Sequence, residues 1–126
     1  MTTKQPLILT VRYPADSMAV LTVAGEIDVD SVPDLRTRAL GLIREGRQHL
    51  VLDLSLVGFC DSSGLNTMIG LLRYAKDRHG SLTLAGPPPH LVRLLDITGI
   101  AEVIPALPTT AEALSHVTAP QEVPEV

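Results

Sequence analysis

Residues 50–74, LVLDLSLVGFCDSSGLNTMIGLLRY, contain a change of hydrophobic period that constrains the fold more than any other part of the chain. Residues 50–54 form a short apolar run, which is typical of a strand buried on both faces of a sheet. After Asp61 the apolar residues recur at the spacing of one helix face: Leu65, Met68, Ile69 and Leu72. The sequence therefore predicts a strand that leads directly into an amphipathic helix.

The turn between this strand and this helix carries three polar side chains, Asp61, Ser62 and Ser63. Helix capping would explain them, because Asp and Ser oxygens commonly accept hydrogen bonds from the unpaired N–H groups of a first helical turn. A phosphoacceptor is a second interpretation, because the positive end of a helix tolerates a dianion. The position of the two hydroxyls is compatible with both interpretations.

Strands and helices alternate along the rest of the chain. Further strands are predicted at residues 6–13, 18–24, 81–85 and 102–104, and further helices begin near Ser31, Pro89 and Thr109. Parallel strands need a crossover connection, which the helices supply. We therefore predict an α/β fold, with a mixed, mostly parallel β-sheet of about five strands, about four helices and the first strand added antiparallel.

The predicted helix ends rest on cap residues. Ser31 with Asp34, and Thr109 with Glu112, resemble the capping boxes that open helices. Glycines stand where three helices are expected to stop: Gly46, Gly80 and Gly99. The last helix is expected to continue to about His116.

Length and composition fit one soluble globular domain, since the chain has 126 residues, of which 45% are hydrophobic and 19% charged. We expect this domain to span residues 1–118 and residues 119–126 to form a disordered tail. The apolar runs are too short for a bilayer, and the first residues lack the features of a signal peptide. With Cys60 as the single cysteine, these features predict a cytoplasmic protein with no membrane association.

Charge argues against direct nucleic acid binding, because the net charge is −4 and only 2% of the residues are aromatic. The main basic cluster comprises Arg73, Lys76, Arg78 and His79. It lies at the expected end of the helix that follows Ser62, where cations complement the helix dipole. We interpret it as a solvated helix terminus.

The sequence gives no support for enzymatic or metal chemistry. A serine hydrolase would need Ser62 or Ser63 beside a histidine, but the Gly-x-Ser-x-Gly elbow is missing and the four histidines are scattered. The sequence has neither a glycine-rich nucleotide loop nor a close pair of metal-binding histidines. Cys60 lies in an apolar run, which predicts a core position. We therefore predict no catalytic residue, no metal and no cofactor.

Two further carboxylates need an explanation. Asp53 lies inside the buried-strand run, so we expect it to accept hydrogen bonds from a neighbouring loop. Asp28 follows the second strand, and in a parallel sheet it would lie at the same edge as Ser62. Solvent exposure and capping are equally good explanations for Asp28.

Three stretches together resemble the STAS domains, in particular the small bacterial anti-sigma factor antagonists. They are residues 25–28 (GEID), residues 51–54 with 59–65 (VLDL and FCDSSGL), and residues 84–87 with 92–100 (LAGP and VRLLDITGI). Their order and spacing match over most of residues 7–117.

The resemblance implies a partner-switching protein that binds an anti-sigma factor serine kinase, releases a sigma factor for transcription, and is inactivated when that kinase phosphorylates one serine. By its place in the motif, Ser62 is the implied phosphoacceptor, and a phosphatase would reverse the modification. The implied partner-binding residues are Asp28, Asp61, Ser62, Ser63, Gly64 and Asn66. Asn66 departs from the family pattern, in which a small residue is common, so it is expected to influence partner choice.

The family also includes scaffolds and sensors without a direct anti-sigma partner, such as stressosome subunits. This is the alternative function. Retention of Ser62 favours the antagonist, for which we expect a monomer or weak dimer.

Overall fold

The computed structural model describes residues 5–118, so the predicted tail, residues 119–126, lies outside the described residues. Its strands are β1 (Ile8–Arg12), β2 (Met18–Ile27), β3 (His49–Cys60), β4 (Ser81–Ala85) and β5 (Ala106–Leu107). Its helices are α1 (Val32–Arg44), α2 (Ser62–Asp77), α3 (Pro89–Thr98) and α4 (Thr110–Thr118), with a 3₁₀ turn at Ile100–Glu102.

The strands form one sheet in the order β1-β2-β3-β4-β5. β1 pairs with β2 antiparallel, and the remaining neighbours pair parallel. This confirms the predicted mixed, mostly parallel sheet. Because the carboxyl ends of β2 and β3 lie side by side, the loops that follow them meet at one edge.

Hydrophobic residues cover both faces of the sheet. The larger cluster packs the side chains of α1, α2 and α3 onto one face, with Leu52, Leu54 and Met68 fully buried. The smaller cluster joins Val20, Val51 and Ala85 of the sheet to Ala113 of α4 on the other face. The helical stripe predicted after Asp61 supplies part of the first cluster: Leu65, Met68 and Leu72 are buried, and Ile69 packs against them.

Strand β3 is longer than the predicted run at residues 50–54, and it contains two bulges. Thr22 pairs with Asp53 but Ala24 with Leu56, so β3 advances by three residues where β2 advances by two. A second register shift follows Gly25. Each extra residue reverses the face of the sheet to which the following side chains point. Leu56 is therefore exposed, although strict alternation after Leu54 would bury it.

The first bulge gives Asp53 its hydrogen bonds. Its carboxylate accepts from the backbone N–H and the hydroxyl of Ser55, at 3.1 and 2.7 Å, and from the Thr22 hydroxyl at 3.4 Å. The structural role predicted for Asp53 is confirmed, although the donors lie in β2 and β3 rather than in a loop.

The capping box predicted at the start of α1 is wrong. Ser31 makes no side-chain cap bond to the helix. Its hydroxyl instead donates to the Glu26 carbonyl at 2.8 Å and accepts from the Asp28 N–H at 3.0 Å. The Asp28 carboxylate accepts from the N–H groups of Asp30 and Ser31, so it organises the connection that leads into α1.

The strand predicted at residues 102–104 is also wrong. Gly99 ends α3 in the left-handed conformation, and the chain turns at once into the 3₁₀ segment that buries Ile104. The last strand begins later, because the Leu84 N–H finds its acceptor at the Pro105 carbonyl, at 2.8 Å. Thr109 does cap α4, since its hydroxyl accepts from the Glu112 N–H at 3.1 Å.

The end of α2 differs in detail from the prediction that Gly80 stops the helix. His79 adopts the left-handed conformation, with φ 60°. Gly80 N–H bonds to the Ala75 carbonyl and His79 N–H to the Lys76 carbonyl, which is the pattern of a Schellman cap. Gly80 is needed for space, because a Cβ there would lie 2.1 Å from the Gln48 carbonyl oxygen.

Candidate functional site

The site is built at the turn from β3 into α2. Asp61 is the N-cap of α2, with φ −102° and ψ −171°. One carboxylate oxygen accepts from the Ser63 N–H at 2.9 Å and the Gly64 N–H at 3.4 Å. The Asp61 N–H donates to the Ile27 carbonyl at 3.1 Å, which ties this turn to the end of β2. Asp61 is therefore the residue that caps α2.

The two serines have different surroundings. The Ser63 hydroxyl donates to the Asp61 carboxylate at 2.5 Å, and the side chain is half-buried. Ser62 is the first residue of α2 and is exposed, and its hydroxyl has no hydrogen-bond partner among residues 5–118. The prediction of an exposed serine at a helix start is confirmed for Ser62. Of these two serines, Ser62 is the one whose hydroxyl can be modified without breaking a hydrogen bond between described residues.

Gly64 allows α2 to begin so close to the sheet. A Cβ on Gly64 would lie 2.6 Å from the Cys60 Sγ and 2.7 Å from the Ile27 Cγ2. Gly64 is buried, so it fixes where the turn lies without presenting a side chain to the surface. Cys60 is 3% exposed, which confirms its core position, and burial raises the pKa of its thiol to about 11.

Asp28 lies on the neighbouring loop at the same edge. It is 6% exposed, and its carboxylate accepts from the Asp30 N–H at 3.0 Å and the Ser31 N–H at 3.2 Å. Asp28 is therefore not solvent-exposed, and its carboxylate holds the turn that precedes α1 rather than capping the helix itself. Its charge also acts on Asp61, so the two loops are electrostatically coupled.

Hydrogen bonding sets the charge state of Asp61. The Ser63 hydroxyl is the largest cause that lowers the pKa of this carboxyl, and the Gly64 and Ser63 N–H groups add to it. Partial burial and the negative charge of Asp28 act in the opposite direction. The carboxylate therefore remains ionised at neutral pH, and the exposed Ser62 hydroxyl lies next to a fixed negative charge.

Three apolar side chains in β3 and in the loop after β2 are exposed, which the sequence did not predict. Val29 is 70% exposed, Leu56 61% and Phe59 48%. Val29 follows Asp28, and Phe59 precedes Asp61 by two residues. Asn66, one helical turn after Ser62, is exposed on α2. The apolar run that continues after Leu54 was the only sign of these residues in the sequence. It does not show which of them are exposed, because the bulges that expose Leu56 leave no recognisable pattern.

Within residues 5–118, no helix is long and apolar enough to cross a bilayer, and no group of three or more His, Cys, Asp or Glu side chains is placed to hold a metal ion.

Comparison with known proteins identifies the family. A family model described as "Mlab, STAS domain" matches residues 13–107. The chain belongs to the STAS family. This STAS chain is also 39% identical over 84 residues to the anti-sigma-B factor antagonist of Bacillus subtilis (strain 168), and the match covers 67% of this chain and 76% of that relative.

Solved structures share the STAS fold. An anti-sigma factor antagonist from Mycobacterium paratuberculosis is 28% identical with a TM-score of 0.79, over 88% of this chain and 93% of that one. The Bacillus cell fate determinant SpoIIAA, solved in its phosphorylated form, is 21% identical with a TM-score of 0.69, over 87% of this chain and 99% of that one. The predicted fold class is confirmed.

Proposed function

We propose that this STAS chain is an anti-sigma factor antagonist. Its unphosphorylated form binds an anti-sigma factor that is also a serine kinase, and this binding releases a sigma factor for transcription. Phosphorylation of Ser62 by that kinase ends the binding, and a phosphatase restores it. The protein acts in the cytoplasm as a regulator with no catalytic residue of its own.

The exposed Ser62 hydroxyl is the observation that carries this proposal. It lies at the N-terminal, positive end of a 16-residue helix, where the helix dipole stabilises a dianion. Ser63 is a poorer acceptor, because its hydroxyl already donates to Asp61. The name of the Bacillus subtilis relative and the phosphorylated form of SpoIIAA support the same function.

The remaining predicted partner-binding residues take different roles in this proposal. Ser62 and Asn66 are exposed and contact the partner directly. Asp61, Ser63 and the buried Gly64 hold the turn in shape, because their contacts are made within the site. Asp28 contributes negative charge next to the acceptor and fixes the neighbouring loop.

Charge at the interface supplies the switch. Phosphate adds about −1.5 to −2 charge to a surface that already carries the Asp61 and Asp28 carboxylates. A partner surface that fits the unmodified serine would have to bury the phosphate dianion without enough hydrogen-bond donors or positive charge around it. Burying a poorly paired charge typically costs several kcal/mol. The fold itself tolerates the phosphate because of its place at the helix terminus.

A scaffold or sensor STAS domain is the alternative. Such a protein would bind other STAS subunits or a small ligand, and Ser62 would lie in the surface through which the subunits assemble. Size-exclusion chromatography separates the two, since the antagonist elutes as a monomer or weak dimer and a scaffold elutes as a large assembly.

Affinity capture followed by reconstitution tests the proposed function. Immobilised wild-type protein, Ser62→Ala and Ser63→Ala should each retain an anti-sigma factor kinase from the source lysate. With ATP, the purified kinase should place one phosphate on wild type and on Ser63→Ala, at Ser62, and none on Ser62→Ala. A phosphate found on Ser63 of the wild-type protein would contradict the assignment, and so would a bound partner without kinase activity.

A further inference from the structure

A cavity of about 380 Å³ lies at the opposite end of β3 from Ser62. Four basic side chains line it and come from different parts of the chain: His49 begins β3, Lys76 lies in the last turn of α2, His79 follows that helix, and His116 lies in α4. Among the described residues that line the cavity, none is an aspartate or glutamate.

Two hydroxyls from β4 also line the cavity. Ser81 Oγ lies 2.9 Å from His49 Nδ1, so that ring is held in place and its other nitrogen is left for a ligand. Thr83 is only 1% exposed, and its hydroxyl has no partner within residues 5–118. Thr83 lines the cavity, and its hydroxyl is not fully enclosed, because the described residues contain no side-chain nitrogen or oxygen that is both fully enclosed and unpaired.

A helix terminus does not account for this arrangement. Cations commonly complement the C-terminal end of a helix, which would explain Lys76 and His116. It does not explain His49 or Thr83, which belong to strands. The φ of 60° at His79 belongs to the Schellman cap that ends α2, at a position that glycine adopts more easily than histidine.

We propose that this cavity binds a small molecule through a phosphate monoester group, with Lys76, His79 and the Thr83 hydroxyl as donors. A phosphate has three terminal oxygens, which suits donors that arrive from several elements. A volume of about 380 Å³ is within the usual range of small-molecule sites, so room remains for the body of the ligand. Other charged groups of α2, α4 and the residue that follows α2 do not line the cavity: Arg73, Asp77, Arg78 and Glu112.

This site is independent of the proposed Ser62 switch, because His49 and Cys60 are the two ends of β3. Failure of one proposal therefore leaves the other intact.

Histidine NMR tests the proposal directly. Ribose 5-phosphate is titrated into the full chain at constant pH, and ribose and inorganic phosphate are titrated in parallel. The signals of His49, His79 and His116 should shift saturably with ribose 5-phosphate, whereas His90, on α3 outside the cavity, should not. Ribose should cause no shift, and inorganic phosphate should bind more weakly than ribose 5-phosphate. Equal shifts of all four histidines, or no shift, would overturn the proposal.

Variants identify the donors. Lys76→Gln and Thr83→Val should each weaken binding about tenfold, because each removes one donor to the phosphate. Arg73→Gln, which removes a charge from the exposed surface of the same helix, should change affinity by less than about twofold. His79→Gly should weaken binding while raising the melting temperature. An effect of Arg73→Gln as large as that of Lys76→Gln would mean that charge alone attracts the anion, and would refute the site.

Discussion

The Ser63 hydroxyl donates a hydrogen bond of 2.5 Å to the Asp61 carboxylate, and this bond distinguishes two serines that are adjacent in the sequence. A phosphate on Ser63 would break the bond and leave a dianion against a carboxylate. A phosphate on Ser62 breaks no bond of the described residues and meets the start of α2 instead. The geometry therefore favours Ser62 as the acceptor.

Asp28 is expected to matter for both the fold and the partner. Asp28→Ala removes the acceptor of the Asp30 and Ser31 N–H groups, and should lower the free energy of unfolding by about 1–2 kcal/mol, measured by urea denaturation. It should also slow phosphorylation of Ser62 by the partner kinase.

Asp28→Asn separates these two effects, because the amide oxygen can still accept both hydrogen bonds while the charge is lost. We expect near-normal stability with slower phosphorylation. If Asp28→Asn and Asp28→Ala both left the phosphorylation rate and the partner affinity unchanged, Asp28 would have no part in recognition.

Gly64 is expected to be intolerant of a side chain. In Gly64→Ala the new Cβ would lie 2.6 Å from Cys60 Sγ and 2.7 Å from Ile27 Cγ2, so the first turn of α2 must shift. Overpacking of this kind should lower the free energy of unfolding by about 1–3 kcal/mol. Cys60→Ala in the same chain should recover part of the loss.

Gly70 provides the matched control on α2, because a Cβ there meets nothing within 4 Å. Gly70→Ala should raise the free energy of unfolding by up to about 1 kcal/mol through helix propensity. Equal melting temperatures for Gly64→Ala and Gly70→Ala would show that the close approach at Gly64 is unimportant.

Asp61 should make stability depend on acid pH. The pKa of its carboxyl is lowered in the folded protein, chiefly by the Ser63 hydroxyl. A group with a lowered folded pKa contributes stability above its unfolded pKa, about 3.9 for Asp, and this contribution is lost as pH falls through the folded pKa. The advantage of wild type over Asp61→Asn in free energy of unfolding should therefore be present at about pH 6 and shrink below about pH 4.

Ser63→Ala tests the cause of that shift. Because it removes the largest contribution, the pKa of Asp61 should rise toward its ordinary value in a carboxyl ¹³C NMR titration. A wild-type Asp61 that titrates at or above the ordinary Asp value would contradict the hydrogen-bond geometry.

Local signals in the sequence predicted most of the sheet and the central turn. The change of period across Asp61 located α2, and the helices that separate the short runs predicted parallel pairing. Both signals depend on residues close together in the chain. The left-handed position at Gly99 was also recognisable.

The errors arose where contacts outside the predicted element decide the structure. Ser31 looked like a helix cap, but the Glu26 carbonyl and the Asp28 N–H engage its hydroxyl. Residues 102–104 looked like a strand, but pairing with β4 begins at the Pro105 carbonyl. The bulges of β3, which expose Leu56, depend on the register with β2 and leave no trace in hydrophobic period. The role of Ser62 as a phosphoacceptor stays a prediction.

The affinity of Ser62→Glu for the captured anti-sigma factor, measured by calorimetry, tests the central claim most directly. We predict that Ser62→Glu keeps the wild-type circular dichroism spectrum, because a negative charge at the N-terminus of α2 is compatible with the helix dipole. Its affinity should fall by about tenfold or more, because the added charge is buried against the partner. Ser62→Ala, the uncharged control, should bind as wild type does. Equal affinities for Ser62→Glu and wild type would contradict the account.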